Sequence, residues 1–471
     1  MKHHYRLPLR RTPPGGSDYA LALLLALGGA LPASAADAPA PAEEAPPLAS
    51  SVPDKADTAL GKVTVTARRR EEDSQKVPTP ITVLGGETLE AQRISRVQDL
   101  QQVLPSVNVA YIHARQSSVA VRGIGNNPAS DGLEGSAGIY LDNVYLGRPG
   151  MAVFDLLDIE QLELLRGPQG TLFGKNTTAG VLNISTRAPT FTTERTVEVS
   201  GGQDGYFQGR GTVSGPLGET LAGRLSAYRT RDDGYIKNIH DDNYLNGGER
   251  QGARGQLLFE PNEDFSLRWI ADYNEEDSSN GSMVVYGAAE RFWQRAALVG
   301  ASPLRDPQRR KVNINGRQHV SVHQGGSSLE ANWILAGGYR LTSISAYRYW
   351  HFTPANDEQL NVSAINDTGV EVHDRQFSQE IRLASPTGGA FDYVVGAYAF
   401  RQNLGNKTFT SYGPLADLYL LGANLGALND TYSKANGKIE TDSFALFAQG
   451  TWHLTERLDF TAGLRGTYEE K

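Results

Sequence analysis

Leu164-Leu165-Arg166-Gly167-Pro168-Gln169-Gly170-Thr171-Leu172-Phe173-Gly174-Lys175-Asn176-Thr177-Thr178-Ala179-Gly180-Val181-Leu182-Asn183-Ile184 decides how the rest of the chain is read. Its two ends are apolar and β-prone, and four glycines and a proline punctuate its middle. It therefore spells strand, glycine turn, short polar segment, second glycine and strand. The part from Gly170 to Asn176 is only superficially a phosphate-binding loop. Its spacing is short, and Asn176 stands where a Ser or Thr would hold magnesium. No soluble enzyme motif needs this order.

Around that stretch, residues 77–190 read as one compact mixed α/β segment. Residues 77–84 are strand-like. Ser95-Arg96-Val97-Gln98 has the pattern of a capping box, in which the Ser and Gln side chains satisfy free backbone N–H groups. The helix behind it places Val97, Leu100, Val103 and Leu104 on one face and stops before Pro105. A short strand follows at 119–122. Asp142-Asn143 is a two-residue hairpin turn between apolar residues 138–141 and 144–146. Residues 161–166 and 181–186 close the sheet.

After Pro189 the pattern changes to segments of about ten residues in which apolar and polar side chains alternate. In 265–274, Phe265, Leu267, Trp269, Ala271 and Tyr273 oppose Ser266, Arg268, Asp272 and Asn274, with Ile270 as the one exception. Residues 206–214 and 457–469 alternate in the same way. Period two puts each set on one face of a sheet. Soluble β-sandwiches also alternate, so the connections decide. Short turns recur at 215–219, 261–264, 336–338, 386–389 and 454–456. Long polar loops lie near 232–249, 277–315, 352–372 and 403–440. A long–short rhythm gathers the tight turns at one end and the large loops at the other, which describes an up-and-down membrane barrel. Tyr228, Trp269, Tyr273, Tyr347, Tyr349, Tyr398 and Trp452 suit its interfacial girdles.

Composition agrees. The 471 residues are 39% hydrophobic, with 51 Gly and 20 Tyr, and the one strongly apolar run is N-terminal. A bundle of membrane helices would need runs of about 20 apolar residues and is excluded. The absence of cysteine removes any disulfide framework. A net charge of −8 argues against nucleic-acid binding, which needs clustered Lys and Arg.

The first residues read as an export signal. Lys2, Arg6, Arg10 and Arg11 precede an apolar core at 19–31, and Ala33-Ser34-Ala35 is a small-residue cleavage site, so residues 1–35 are expected to be removed. The Ala/Pro-rich residues 36–59 cannot bury apolar area and read as a disordered tether. Then comes Lys62-Val63-Thr64-Val65-Thr66-Ala67, followed by the charge run Arg68-Arg69-Arg70-Glu71-Glu72-Asp73. From composition alone residues 62–67 are the first strand of the next domain. A short strand without a local partner can also add to another protein's sheet edge.

Taken with their order, these features resemble the TonB-dependent outer-membrane receptors of Gram-negative bacteria, in particular those for siderophores and iron complexes. Residues 164–184 resemble the end of the family's plug, and Phe377-Ser378-Gln379-Glu380-Ile381-Arg382-Leu383 resembles a recurrent strand of its barrel. The resemblance implies a transmembrane antiparallel β-barrel with an N-terminal α/β plug domain in the lumen. It also implies a TonB box with charged linker (60–76), a plug (77–190) and a first part of the barrel (191–471). A barrel of about 22 strands is too wide for its own side chains to fill, so a plug closes it. About eleven strands are expected here, from 195 to the last residue. The chain therefore reads as C-terminally truncated.

The implied function is active transport of a scarce bulky nutrient, a ferric siderophore first, with vitamin B12, haem or glycans as the alternative cargoes. Val63, Thr64, Val65, Thr66 and Ala67 would pair with TonB, itself driven by its inner-membrane complex. Outer-membrane lipid and a small metal chelate are the other expected partners, and the chain is expected to act as a monomer, without cofactor, resident metal or enzymatic activity. Arg122 and Arg166 are expected to pair with Glu380 on the wall. Arg115, Asn126, Asn127, Asp131 and Arg148 lie on loops expected at the plug's outer tips and are candidate ligand contacts. The rival readings are a passive porin or structural outer-membrane protein, which would need neither plug nor box, and a non-functional receptor fragment.

Overall fold

The computed structural model describes residues 64–66, 68–70, 72–125, 130–152, 154–357 and 359–471. The expected signal peptide and tether, Val63, Ala67, Asn126 and Asn127 lie outside these described residues.

The N-terminal part starts with a small antiparallel pair, β1 (Thr64–Val65) and β2 (Glu72–Asp73). It continues with β3 (Ile81–Gly85), β4 (Val107–His113), β5 (Gln116–Val121), β6 (Ala137–Leu141), β7 (Val144–Tyr145), β8 (Ile159–Arg166) and β9 (Gly180–Thr186). β4 and β5 form a hairpin, and the others form a five-stranded sheet ordered β3-β8-β9-β6-β7. The opening stretch is thus β8, a one-turn helix α2 (Gly170–Phe173) and β9, lying side by side. A Cβ on Gly180 would fall 2.3 Å from the Leu165 carbonyl oxygen, so only glycine lets β9 start against β8. Asp142 and Asn143 turn β6 into β7 with φ of 46° and 65°, the left-handed pair that a two-residue hairpin requires. α1 (Gly86–Ala91) precedes a 3-10 helix at Val97–Gln102. Its cap differs from the expectation. Asp99, not Gln98, accepts from the Ser95 and Arg96 backbone N–H groups at 3.0 and 2.8 Å. The shorter Asp side chain, one residue further on, reaches both donors, and Gln98 is buried with its amide unpaired.

The wall follows: β10 (Glu194–Gly201), β11 (Phe207–Pro216), β12 (Leu221–Asp232), β13 (Ile236–Asn238), β14 (Tyr244–Leu245), β15 (Gly248–Asn262), β16 (Phe265–Ser278), β17 (Lys311–Val312), β18 (His319–Ile334), β19 (Arg340–Ala355), β20 (Ile365–Ala384), β21 (Phe391–Tyr412), β22 (Tyr432–Thr455) and β23 (Leu458–Glu470). β13, β14 and β17 make a separate three-stranded sheet within the large loops, where α3 (Glu290–Leu298) also lies. The remaining eleven strands form one antiparallel sheet in chain order, open within this chain between β10 and β23.

Its tight turns fall at one end and its long connections at the other, except for the short 202–206. The long loops are smaller than the sequence suggests, because β20, β21 and β22 run for 20, 22 and 24 residues and absorb their ends. At about 3.4 Å per residue such strands outreach an apolar band about 25 Å tall and stand out beyond it.

Alternation is clear in β20. Asp374, Gln376, Ser378, Glu380 and Arg382 are buried against the plug, whereas Phe377 and Ile381 are exposed on the outside. The outside is an apolar belt through Leu267, Trp269, Leu329, Phe377, Ile381, Val395, Leu446 and Leu464. Near the tight turns it is edged by Phe265 against Trp333 and by Phe391 against Trp452, and at the other edge by Tyr273, Tyr347 and Tyr349. Phe265 and Tyr273 are eight residues apart on one strand, about 20 Å across the belt at ordinary barrel tilt, which matches a lipid-facing band. Among the described residues no helix is long and apolar enough to cross a membrane. The main core lies between plug and wall: Leu100, Leu162, Leu164 and Ile184 share a cluster with Val322, Trp350, Phe352 and Leu404.

Candidate functional site

The charge run read as a linker is a tight turn that straps the start of the chain under the plug. Thr64 pairs with Asp73 and Val65 with Glu72, and Arg69 turns the chain with φ of 62°. Val65 is fully enclosed with Tyr140, Phe173, Val394 and Phe447, so both plug and wall cover it. Its neighbour Thr66 donates its backbone N–H to Glu163 Oε1 at 2.7 Å and its hydroxyl to the same oxygen at 3.1 Å. Gln161 and Asn183 donate to Glu163 as well, at 2.7 and 3.3 Å. Glu163 lies on β8 with no exposed surface. Burial pushes its carboxyl above the usual range, and the donors from Thr66 and Asn183 pull it part of the way back.

Arg69 points into the seam between plug and wall. Its guanidinium lies 4.3 Å from the Phe173 ring centre and 5.0 Å from that of Tyr140. It donates to Asn143 at 3.1 Å and lies 3.5 Å from Glu380. Glu380 also holds Arg382 at 2.8 Å. Arg68 reaches Thr451 at 2.6 Å, and Arg70 bridges Glu72 at 2.8 Å and Asp392 at 3.6 Å. Glu380, Asp392 and Thr451 all sit a few residues from tight turns, so the strap closes the tight-turn end of the wall.

The plug–wall pairing at Glu380 therefore uses a different arginine from those expected. Arg166 donates to Ser106 at 2.9 Å and Thr82 at 2.7 Å, within the plug. Arg122 sits in a turn with φ of 54°. The glycines that follow them, Gly123 and Gly167, have φ of 76° and 88°, and these left-handed turns reverse the chain beside both arginines. Arg69 was legible only as one charge among several. Its signal, an arginine whose neighbours pair across a hairpin, appears once Val65 is seen to be buried.

The outer-tip candidates are also paired. Arg115 and Arg148 hold Asp131 at 3.1 and 3.4 Å, and Asn406 of β21 donates to it at 2.9 Å. Asp131 and Arg148 are buried, so these three tie the plug apex to itself and to the wall instead of facing a ligand. Sequence reasoning missed two further anchors. Arg224 grips Asp158 with two bonds of 2.5 and 2.6 Å, and Arg250 meets Asp155 at 3.0 Å. Inward-facing arginines in period-two strands were the available signal. Toward the large loops a cavity of about 890 Å³ opens between Arg93, Arg96, Asp99 and Tyr111 of the plug and Arg210, Arg250 and Asn280 of the wall. Its size suits a bulky solute. Among the described residues no group of His, Asp and Glu is arranged to hold a metal ion.

A small α/β domain lodged against an antiparallel wall, strapped at one end and open to a chamber at the other, defines a plugged outer-membrane barrel. Residues 73–181 match the family model of the TonB-dependent receptor plug domain. The chain is similar to the pesticin receptor of Yersinia enterocolitica, at 25% identity over 83% of this chain and 53% of that one. It is also similar to the vitamin B12 transporter BtuB of Photobacterium profundum, at 30% identity over 37% of this chain and 28% of that one. Among solved structures it shares the fold of the ferric yersiniabactin uptake receptor of Yersinia pestis, with a TM-score of 0.70 and 20% identity over 83% of this chain and 56% of that one. The ferripyoverdine receptor of Pseudomonas aeruginosa gives 0.66 and 17% over 86% and 54%. Residues 73–181 thus belong to the plug-domain family of the TonB-dependent receptors, and the chain is similar to such Gram-negative outer-membrane receptors, which are transport proteins and not enzymes, along most of its length. It spans about half the length of the curated relatives it matches.

Proposed function

We propose that this chain serves the energised uptake of a scarce bulky solute across the outer membrane, and that a ferric siderophore is that solute. In this reading residues 63–67 are the handle that pairs with TonB by strand addition, and residues 60–76, 77–190 and 191–471 act as strap, plug and wall. The observation that carries the proposal is the strap. A segment with so few local strand partners is held at the tight-turn end by one buried carboxylate and one buried arginine, where a pull would act on plug and wall together. A passive pore has no use for such a device. The chamber above the plug is where we place the solute; its lining interleaves Arg93, Arg96, Arg210 and Arg250 with Glu90, Asp99, Glu198, Asp204 and Asp232, a mixed polar surface for a solute rich in hydrogen-bonding groups. Outer-membrane lipid surrounds the belt, and the working unit is one chain.

The test is uptake of labelled ferric siderophores by cells carrying the gene, with and without deletion of residues 63–66. Loss of uptake with an undiminished amount of folded protein in the outer membrane is the expected result. Uptake that survives the deletion would remove energised transport from the proposal.

A further inference from the structure

Just beyond the Tyr273 and Tyr349 edge of the belt, three histidines stand side by side on the outside of the wall. His323 of β18 pairs across with His351 of β19, and His351 with His373 of β20. The His351 and His373 rings meet edge to face with centres 4.6 Å apart. They sit one outward-facing position, about 7 Å, further out than the tyrosines. That is the depth of lipid headgroups when the aromatic edge marks the interface.

Charged groups surround this row on the neighbouring strands. β16 offers Glu275, 4.0 Å from His323, and Asp277, 3.2 Å from His319. β18 adds His319, which Arg317 also faces. β20 adds Arg375, exposed and cross-strand from Tyr349, and Glu371, 3.2 Å from His373. β21 adds Lys407, 3.0 Å from Glu371. With neutral imidazoles the three acids balance Arg317, Arg375 and Lys407. With protonated imidazoles the patch becomes strongly cationic, because the acids cannot offset four further charges. Imidazole is the side chain that makes this change in the ordinary environmental range.

We propose that this histidine row is a headgroup site that grips the phosphates of an anionic glycolipid in the outer leaflet, and does so when the imidazoles are protonated. Two features favour phosphate over a metal ion. The described residues bring no His, Asp and Glu together in a metal-holding arrangement, and the row is continuous with the lipid belt. Burial lowers His319 against the pull of Asp277, and burial with the neighbouring His373, Arg375 and His323 lowers His351, so both rings take up charge on the acid side of the ordinary imidazole 6.5, and the added charge faces outward. The site lies on the opposite face of the wall from the plug, so it is independent of the uptake reading.

The experiment titrates the folded full chain, in zwitterionic micelles, with doubly phosphorylated lipid A and with its dephosphorylated form, and counts bound lipid by native mass spectrometry. Binding of the phosphorylated lipid about tenfold tighter near pH 5.5 than near pH 7.5, with no such change for the dephosphorylated one, is expected. The combined variant His323→Gln, His351→Gln, His373→Gln, which leaves only His319 in the patch, should lose most of the pH difference. Arg375→Gln should weaken binding at both pH values and keep the ratio. Equal binding of the two lipids, or a pH ratio that persists undiminished in the triple variant, overturns the proposal. If the triple variant does not fold, the comparison of the two lipids on the unaltered chain still decides.

Discussion

Replacing Arg69 with methionine should loosen the strap by a calculable amount. Methionine keeps most of the buried apolar length and removes the guanidinium. A hydrogen bond from a charged donor, here to Asn143 at 3.1 Å, is worth about 1.5–3 kcal/mol when lost from a buried site. The ring contacts with Phe173 and Tyr140 add roughly 1 kcal/mol. The full cost of about 3–5 kcal/mol for breaking a buried ion pair does not apply, because Glu380 retains Arg382 at 2.8 Å. The sum is about 3 kcal/mol, or roughly a hundredfold in a local opening equilibrium. The chain contains no cysteine, so Val65→Cys gives a single reporter at a fully enclosed position. Thiol labelling would then measure how often the strap opens. Labelling of Cys at 65 should accelerate about a hundredfold when Arg69→Met is added, and by much less when Arg382→Met is added instead. An acceleration below about threefold would show that Arg69 does not hold the strap, and the reasoning from burial and pairing would fail with it.

Three further outcomes are expected. Asp158→Asn removes the carboxylate that Arg224 grips from both nitrogens and should cost about 3 kcal/mol of plug anchoring, read as faster proteolysis of the plug. Burial opposes ionisation of Asp158, but Arg224 and Ser226 outweigh it and hold the carboxyl below its ordinary 3.8. Its stabilising share is therefore complete above pH 3.8 and lost as pH falls through the lowered value, a loss that Asp158→Asn should abolish in acid melts. Glu163 runs the other way. Its carboxyl is raised by burial, so its share is complete below 4.5 and fades as pH rises through the raised value, and Glu163→Gln should flatten that slope in thermal melts. Leu329→Arg, on the outside near the middle of the belt, should cost about 2–4 kcal/mol in bilayer folding assays and leave the plug contacts untouched.

The β8–α2–β9 unit, the Asp142–Asn143 turn and the long–short rhythm of the wall were all legible in the chain because each is a local rule. Glycine sets the turn, left-handed residues set the hairpin, and period two sets the face. The strand ends of β20 to β22 were less legible, because a strand that stands beyond the membrane keeps pairing with its neighbours after its apolar pattern has stopped. The candidate site was legible in part. Glu380 was placed on the inward side of its strand correctly, since alternation decides the face. Its partner was not, since any inward arginine satisfies the same pattern.

What the residues determined unaided was the kind of object: a glycine-punctuated α/β domain followed by an amphipathic antiparallel wall with an apolar exterior. Those properties follow from steric and hydrophobic periodicity, which act over a few residues. Only the tertiary structure decided which charges meet. Arg69 finds Glu380, Thr66 finds Glu163, and Arg115 and Arg148 turn from prospective ligand contacts into braces on Asp131. Such choices depend on how deeply the plug seats in the wall, because a buried charge must be matched by whatever partner that depth brings within reach.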